Sequence, residues 1–314
     1  MRKKFDVTFA GEINLDLILY GTPQELPAER ELLANQSLLT LGSSSAICAH
    51  NLSAMGARVG FITRSGSDTL GQLALERLKS SGLDLAAVTR SKKTPTGITV
   101  ILPHGHGRHI VTYPGTMFEM THKDLDVRYL ASGKHFHMSS FYLHRGLRED
   151  IPRLFRELKK AKLSTSLDTN DDPDDTWIKD GVLEETLKHV DVFMPNEREA
   201  LKIAATDKIE DAARKLSEKV ATVVVKLGAR GAMGVSRGEK FVASTVRVGV
   251  IDTIGAGDSF DAGFIYQLVR GAPLAKCVEW GNLAGAFSVT QAGGTEAFRS
   301  RKNWRAFLRK HQAT

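Results

Sequence analysis

Apolar and polar positions along the chain switch repeatedly between two patterns. Short strand-like runs cover residues 5–10, 13–19, 59–63, 163–167, 192–194 and 222–227. Between them apolar residues recur at helical spacing. Residues 44–55 place Cys48, Ala49, Leu52 and Met55 on one face, and residues 70–79 align Leu70, Leu73, Ala74 and Leu78. Residues 151–162 carry Ile151, Leu154, Phe155 and Leu158 at i, i+3, i+4 and i+7. Further helices are predicted over 197–204, 209–219, 258–270, 274–289 and 303–310. Strands that alternate with helices imply a mostly parallel sheet covered by helices.

Two stretches depart from this alternation. Residues 31–41 and 96–113 are strand-like without an intervening helix signal, and Gly105 and Gly107 mark a turn between 98–102 and 108–113. They predict a small β structure projecting from the main sheet, with strands from about 15–41 and 96–115. No Pro/Ser-rich linker, repeat or low-complexity segment interrupts residues 1–314, so one domain with a β appendage is expected.

Composition narrows the class. A hydrophobic fraction of 42% and a charged fraction of 25% supply an ordinary globular core and argue against disorder, collagen and coiled coil. No apolar run approaches the roughly 18 residues of a membrane span. The basic start Met1-Arg-Lys-Lys leads directly into Val7-Thr-Phe-Ala, without a leader's longer apolar stretch. Cys48 and Cys277 are too few for a disulfide framework or a four-cysteine metal site, and a cytoplasmic protein is expected. The balance of 43 basic and 36 acidic residues, +7, would favour an anionic ligand such as a nucleotide. Its Lys and Arg residues are scattered, without a basic block interleaved with aromatics, so neither nucleic acid nor membrane is an expected partner.

The segment Ile251-Asp252-Thr253-Ile254-Gly255-Ala256-Gly257-Asp258-Ser259-Phe260-Asp261-Ala262-Gly263-Phe264 carries the strongest chemical signal. A Gly-Ala-Gly turn opens an apolar helix, where small residues let backbone N–H groups converge on an anion at the positive helix end. Asp258 follows at once. A carboxylate there can take a hydroxyl proton while the amides stabilise phosphate charge. A lone first-turn acid would be explained by the helix dipole, but the whole string is not.

This string closely resembles the C-terminal signature of the PfkB family of carbohydrate kinases, Asp-Thr-x-Gly-Ala-Gly-Asp-x-Phe. Other segments match in the family's order: the Gly-rich run Gly42 to Gly56, Gly66-x-Asp68-x-x-Gly71, Asn196-Glu197-Arg198-Glu199, and Val223–Gly228 followed by Gly231-Ala232. The resemblance spans nearly the whole chain. It implies a ribokinase-like three-layer α/β sandwich, a mostly parallel central sheet with a small β lid, and ATP-dependent phosphorylation of a primary hydroxyl on a sugar or related compound. By it Asp258 is the base, and Gly255, Ala256 and Gly257 form the anion hole. Asn196 and Glu199 organise Mg²⁺ and its waters; read alone, Pro-Asn-Glu-Arg-Glu is equally a strong helix opening. Lys226, Gly228, Gly231, Asn282, Gly285 and Ala286 belong to the nucleotide side. Asp252, Ile254 and Gly293, with Gly294 beside it, correspond to a loop that in the family often binds a monovalent cation such as K⁺. No Gly-x-x-x-x-Gly-Lys-Ser/Thr run occurs, and Gly228-x-x-Gly231-x-x-Gly234 leads into a strand, so neither a P-loop nor a dinucleotide loop is expected.

On the acceptor side Asn14 and Asp16 match the family strand whose Asp holds sugar hydroxyls, a task suited to a two-oxygen acceptor; a strand-end turn is the competing reading. Gly42 matches a close backbone approach to the sugar, Ser43 replaces the usual second Gly, and Ile47 stands where many members carry Asn. Ribose is therefore expected to be a poor substrate. Asp168 and Asn170 either face the phosphates or cap a turn. Asp172 stands where sugar-acid kinases often carry Arg. His104, His106 and His109 surround a turn, and His135 and His137 share one strand face; solvated and strand-lining histidines are favoured over metal ligands. A homodimer through the β lid is a further expectation. The rival readings are a nucleoside kinase with Phe141, Tyr142 and Tyr113 around the base, and a non-catalytic sugar or nucleotide sensor.

Overall fold

A computed structural model describes residues 3–105 and 107–312; His106 lies outside the described residues. In chain order the elements are β1 (Phe5–Ala10), β2 (Asn14–Tyr20), β3 (Gln36–Leu41), α1 (Ser44–Ala54), β4 (Val59–Ile62), β5 (Arg64–Gly66), α2 (Thr69–Ser80), β6 (Thr89–Ser91), β7 (Gly97–His104) and β8 (Gly107–Tyr113). They continue with α3 (Val127–Ala131), β9 (Gly133–Met138), α4 (Ile151–Lys160), β10 (Ser164–Leu167), α5 (Val182–Leu187), β11 (Val192–Phe193), α6 (Glu197–Ala204), α7 (Ile209–Ser217) and β12 (Thr222–Lys226). The last are β13 (Ala232–Ser236), β14 (Glu239–Ala243), α8 (Ala256–Leu268), α9 (Leu274–Ser288) and α10 (Arg301–Gln312).

Eight strands form the central sheet in the order β14-β13-β12-β11-β10-β9-β1-β4. All neighbours from β12 to β4 run parallel, and the β13–β14 hairpin closes one edge antiparallel. Period-two alternation sorts the strand side chains between two buried layers. Val7 and Phe9 of β1 and Val224 of β12 face the layer built with α1, α2, α8, α9 and α10. Phe136 and Met138 of β9, and Val223 and Val225 of β12, face α3 to α7. The sequence expectation of helices on both sides of a mostly parallel sheet is met. In α4 the predicted Ile151, Leu154, Phe155 and Leu158 are the buried positions.

The projecting β structure is a separate four-stranded sheet, β3-β2-β7-β8. Its strand β3 begins at Gln36, later than the expected 31, because β2 ends at Tyr20 and Tyr20 pairs with Gln36; residues 31–35 have no strand to pair with. Gly66-x-Asp68-x-x-Gly71 ties this sheet to α2. Asp68 caps α2 by accepting from Gly71 N at 2.7 Å and pins the start of β7 by accepting from Thr96 N at 2.6 Å. A methyl group on Gly66 would lie 2.6 Å from that same Thr96 nitrogen.

Candidate active site

Parallel strands end together at one edge of the sheet, and the connections leaving that edge carry the polar residues. In open α/β sheets this is where ligands bind. Glu12 follows β1, Ser139 and Ser140 follow β9, Asp168 follows β10, Asn196 follows β11, and Lys226 ends β12. The N-terminus of α8 points at the same edge.

Gly255 is the residue before α8 and has φ +70°, a left-handed conformation that glycine adopts freely. A side chain there would strike Gly294 Cα at 2.5 Å. Gly255 is thus the turn residue, while Ala256 and Gly257 already belong to the first turn of α8, which opens two residues before the expected 258. Asp258 sits in the first turn of α8, buried, and Ser44 at the start of α1 donates to it. Burial and the nearby Asp168 charge push its carboxyl up to about 6, against the opposing pull of Lys226 and the Ser44 hydroxyl.

Asp16 faces the same space from the appended sheet. Burial and the like charge of Asp258 raise its carboxyl to about 7, while Arg108 of β8 opposes the rise. Gly42 lies directly beneath: a methyl group on it would meet Asp16 Oδ1 at 2.1 Å and Asn14 Oδ1 at 2.4 Å. Asn14 Nδ2 donates to Thr99 Oγ1 at 2.7 Å, and Asn14 Oδ1 is buried with no partner in the protein. An orphaned acceptor oxygen beside a carboxylate is a natural place for a ligand hydroxyl. Ser43 differs from the expectation. Its hydroxyl donates to the Glu12 carbonyl at 2.7 Å, so it braces the β1–β2 turn. Ile47 packs between Gly255 and Gly294.

Asn196 and Glu199 form a reciprocal cap on α6. Glu199 N donates to Asn196 Oδ1 at 3.0 Å, Asn196 N donates to Glu199 Oε2 at 2.8 Å, and Asn196 Nδ2 also bonds Glu199. Both readings of the motif are therefore compatible with the geometry. Glu199 is buried and its carboxyl is raised to about 8 by burial and by Asp168. Gly228 is exposed at the turn after β12. Gly231 has φ +91°, and a side chain would meet the Ala243 carbonyl at 2.0 Å. Asn282 donates to the carbonyls of Ala243 (3.0 Å) and Ser244 (3.3 Å), fastening α9 to the exit of β14. Gly285 permits close packing against Ala256, whose carbonyl would be 3.2 Å from a methyl group, and Ala286 is buried beside it. Asp252 accepts from Ile254 N at 3.0 Å, Gly293 N at 2.9 Å and Tyr20 Oη at 2.5 Å, tying the turn before α8 to the appended sheet.

Lys226 departs most from its expected role. Its ammonium points inward, 2.5 Å from Asp168 Oδ2 and 3.3 Å from Asp261 Oδ2. Asp261 was not singled out by the sequence; its signal is a second acid at i+3 from Asp258 in an otherwise apolar helix. Glu12 was also missed. It is fully buried, accepts from Ser45 Oγ at 2.7 Å and faces His144 Nε2 at 3.2 Å. Burial would raise its carboxyl, but His144, Ser140 and Ser45 outweigh this and hold it at about 2. Asn170 accepts from Ser140 N at 2.8 Å and donates its own N–H to Asp168 Oδ1 at 3.3 Å, which is the turn-capping alternative. Asp172 is absorbed by its own loop, accepting from Thr176 N and Trp177 N at 2.6 Å. His135 and His137 line the β9–β10 ladder. Ser166 Oγ lies 2.7 Å from both rings, and Ser139 Oγ is 2.9 Å from His137 Nε2. His104 and His109 have ring centroids 4.5 Å apart.

The aromatic trio proposed for a nucleoside base does not converge. Phe141 is fully buried in the α3–α7 layer, Tyr142 donates to the Trp177 carbonyl at 3.1 Å, and Tyr113 is half exposed. Tyr113 pairs with Ile98, whereas the face carrying Asp16 runs through Thr99 and Thr112.

Among the described residues no helix is long and apolar enough to cross a membrane. The 2-dehydro-3-deoxygluconokinase of Bacillus subtilis is 27% identical over 282 residues, covering 85% of this chain and 86% of that protein. An Escherichia coli structure solved in complex with ATP and Mg²⁺ superposes with a TM-score of 0.85 at 23% identity, covering 98% of this chain and 100% of the other. The adenosine kinase of Sinorhizobium meliloti superposes equally, TM-score 0.85 at 22% identity over 99% and 100% of the two chains. The model of the pfkB family carbohydrate kinases matches residues 5–301. The chain belongs to the pfkB family of carbohydrate kinases, enzymes that transfer a phosphoryl group to an alcohol.

Proposed function

We propose that the protein transfers the γ-phosphoryl group of ATP to a primary hydroxyl of a sugar-like acceptor, with Asp258 as the base. The observation that carries this reading is the meeting of Asp16 and Asp258 in one buried space beside the Gly255 turn, where burial and then the Asp258 charge raise the Asp16 carboxyl to about 7. Asp16 and Asn14 hold acceptor hydroxyls over the Gly42 backbone. Asp258 takes the proton of the attacking hydroxyl. The amides of Gly255, Ala256 and Gly257, at the positive end of α8, receive the charge that develops on the phosphate. The appended sheet acts as the lid that excludes water from the transfer. Nucleotide contacts come from the Gly228–Gly231 turn and from the α9 region of Asn282, Gly285 and Ala286.

Burial first, and the Asp168 charge second, raise the Glu199 carboxyl to about 8; a divalent cation beside these oxygens would take the place of that proton and relieve the crowding of negative charge, so the residues fit Mg²⁺. Glu199 and Asn196 would hold its waters; when bound, the ion neutralises phosphate charge. Glu199→Gln should raise the Mg²⁺ concentration for half-maximal rate several-fold, because an amide orders cation-bound water less well. An unchanged Mg²⁺ curve would leave Glu199 as a helix cap only. Asp252, Ile254 and Gly293 are proposed as the monovalent-cation loop, tested by comparing rates in K⁺ and in a large organic cation. The outer lid face, which includes the exposed Val111 and Tyr113, is proposed to pair two copies of the chain, tested by sedimentation.

A base must be ionised to act, and Asp258 ionises near 6. The value of kcat should therefore fall as pH drops through about 6. A flat profile from pH 5 to 8 would remove Asp258 from the base role. A coupled ADP-release screen over pentoses, hexoses, sugar acids and nucleosides tests the reading as a whole, and turnover with none of them would overturn it.

A further inference from the structure

Strand alternation brings an unusual set of charges behind the anion-hole turn. Ser164, Ser166 and then Asp168 share the face of β10 that looks toward α8, and Val224 and Lys226 share that face of β12. A position that would ordinarily hold an aliphatic residue therefore delivers an ammonium under α8. Lys226 is buried, with Nζ 2.5 Å from Asp168 Oδ2 and 3.3–3.4 Å from the two Asp261 oxygens. A methyl group on Gly257 would lie 3.6 Å from the same Nζ, so the cation sits immediately behind the Gly255–Gly257 backbone. Asp168 and Asp261 are fully buried. Only Lys226 of this triad keeps any exposure, 9%, and the triad borders Asp258, one helical turn from Asp261.

We propose that Lys226 is a positioning residue that balances the buried Asp168–Asp261 pair behind the anion hole and thereby keeps Asp258 ionised and the Gly255–Gly257 turn free of net negative charge. The inference rests on the kinase reading for its catalytic consequence, but not for its structural one.

Charge arguments support it from both sides. Burial would push the Lys226 ammonium down, but Asp168 and Asp261 outweigh this and hold it above its usual value. Burial, with the like charge of Asp168 and a hydrogen bond to it, pushes the Asp261 carboxyl well above its usual range despite Lys226. Asp261 is thereby driven toward its protonated form, hydrogen-bonded to Asp168, and the ammonium lies against Asp168. Asp258 is faced by Asp168 and Lys226 from the strand ends, Glu12 from the β1–β2 turn, Asp16 from the lid, Asp261 from its own helix, and the Ser44 hydroxyl and buried Cys48 from α1. Lys226 is the cation among these and holds the Asp258 carboxyl down, whereas Asp168 pushes it up.

The two charges should therefore act with opposite sign. Lys226→Met should move the acid limb of kcat to higher pH by about one unit or more, and Asp168→Asn should move it lower. The double variant Lys226→Met/Asp168→Asn removes the pair together and should fold even if a single variant does not, with its acid limb near that of the wild type. The probes are ATP and whichever screened compound gives the highest kcat/KM. Acid limbs displaced in the same direction by both single changes, or a double variant displaced as far as Lys226→Met, would overturn the proposal.

A second readout needs no substrate. Without Lys226 the folded carboxyls bind protons more tightly than the unfolded chain does. Stability is then greatest at low pH and is lost as pH rises. In EDTA and without nucleotide, the gap in Tm between wild type and Lys226→Met should widen by at least about 4 °C from pH 5.5 to 8.5. A pH-independent gap would mean that Lys226 only fills space. If the wild type phosphorylates nothing in the screen, the kinase reading fails while this measurement still decides the role of the triad.

Discussion

Asp258→Asn should accumulate as folded protein, bind ATP with near wild-type affinity, and lose turnover by about 10²–10⁴-fold, the usual contribution of a positioned base. The change is nearly isosteric. It deletes an ionisable oxygen at a buried position whose carboxyl is already raised to about 6, so folding does not depend on the charge. Raised carboxyls favour the protonated form in the folded state, and neutralising one relieves a cost at neutral pH. Nucleotide affinity should survive because the anion hole is made of backbone at Gly255, Ala256 and Gly257, a turn set by the +70° φ of Gly255 and the close approach of Gly294. Remaining activity should lose the acid limb near pH 6. Single-turnover rates with isothermal titration of a non-hydrolysable ATP analogue would measure both halves. Turnover within a few-fold of wild type, or an acid limb unchanged in the variant, would assign the base elsewhere.

The turn was legible in the sequence because its determinants are contiguous. Small residues, a helix start and an acid within four positions specify one backbone conformation, and nothing distant has to be known. Asn196-Glu197-Arg198-Glu199 was legible as a helix cap for the same reason. The triad was not legible. Lys226 precedes Gly228 in a glycine turn, which suggested a nucleotide contact, whereas its direction is decided by strand parity and by carboxylates 58 and 35 residues away. Glu12 was overlooked because its partners, Ser45 and His144, come from α1 and from the segment after β9. The strand boundary at Gln36 was misplaced because pairing ends where the partner strand ends, and no local propensity encodes that. Ile47 was read as an acceptor-side residue, but its side chain fills the gap between Gly255 and Gly294, a contact that depends on how α1 docks against two loops from the far end of the chain.

Asp16→Ala should cut kcat/KM for the acceptor by about 10²–10⁴-fold while leaving ATP affinity nearly unchanged. Asp16 lies on β2 of the lid, buried, with its oxygens over the Gly42 backbone and beside the orphaned Asn14 Oδ1. Two hydroxyls bonded to a carboxylate are each worth about 1.5–3 kcal/mol, and their loss gives the stated range. Stability should change in the opposite sense. The Asp16 carboxyl is raised to about 7, first by burial and then by Asp258, so its stabilising contribution belongs to the protonated form and is lost as pH rises through about 7. Removing it should leave Tm equal to or above the wild-type value at pH 8, although the side chain is buried. The acid limb of residual turnover should stay near that of the wild type, because Asp16, raised to about 7, is already protonated where Asp258 ionises near 6. This combination of lost acceptor use, retained nucleotide binding and undiminished stability is what a ligand-holding carboxylate predicts, because function alone keeps a poorly solvated charge there. A residue that merely ended a strand would behave otherwise: Tm would fall, and kcat/KM for every screened acceptor would stay within a few-fold. Ribose belongs in the same experiment. The Ser43 hydroxyl spends its one proton on the Glu12 carbonyl and can only accept from a ligand, and Ile47 fills the anion-hole turn with no polar atom to offer, so ribose should rank below the best acceptor. Ribose with the highest kcat/KM, or Asp16→Ala at full rate, would show that the acceptor is held by other groups.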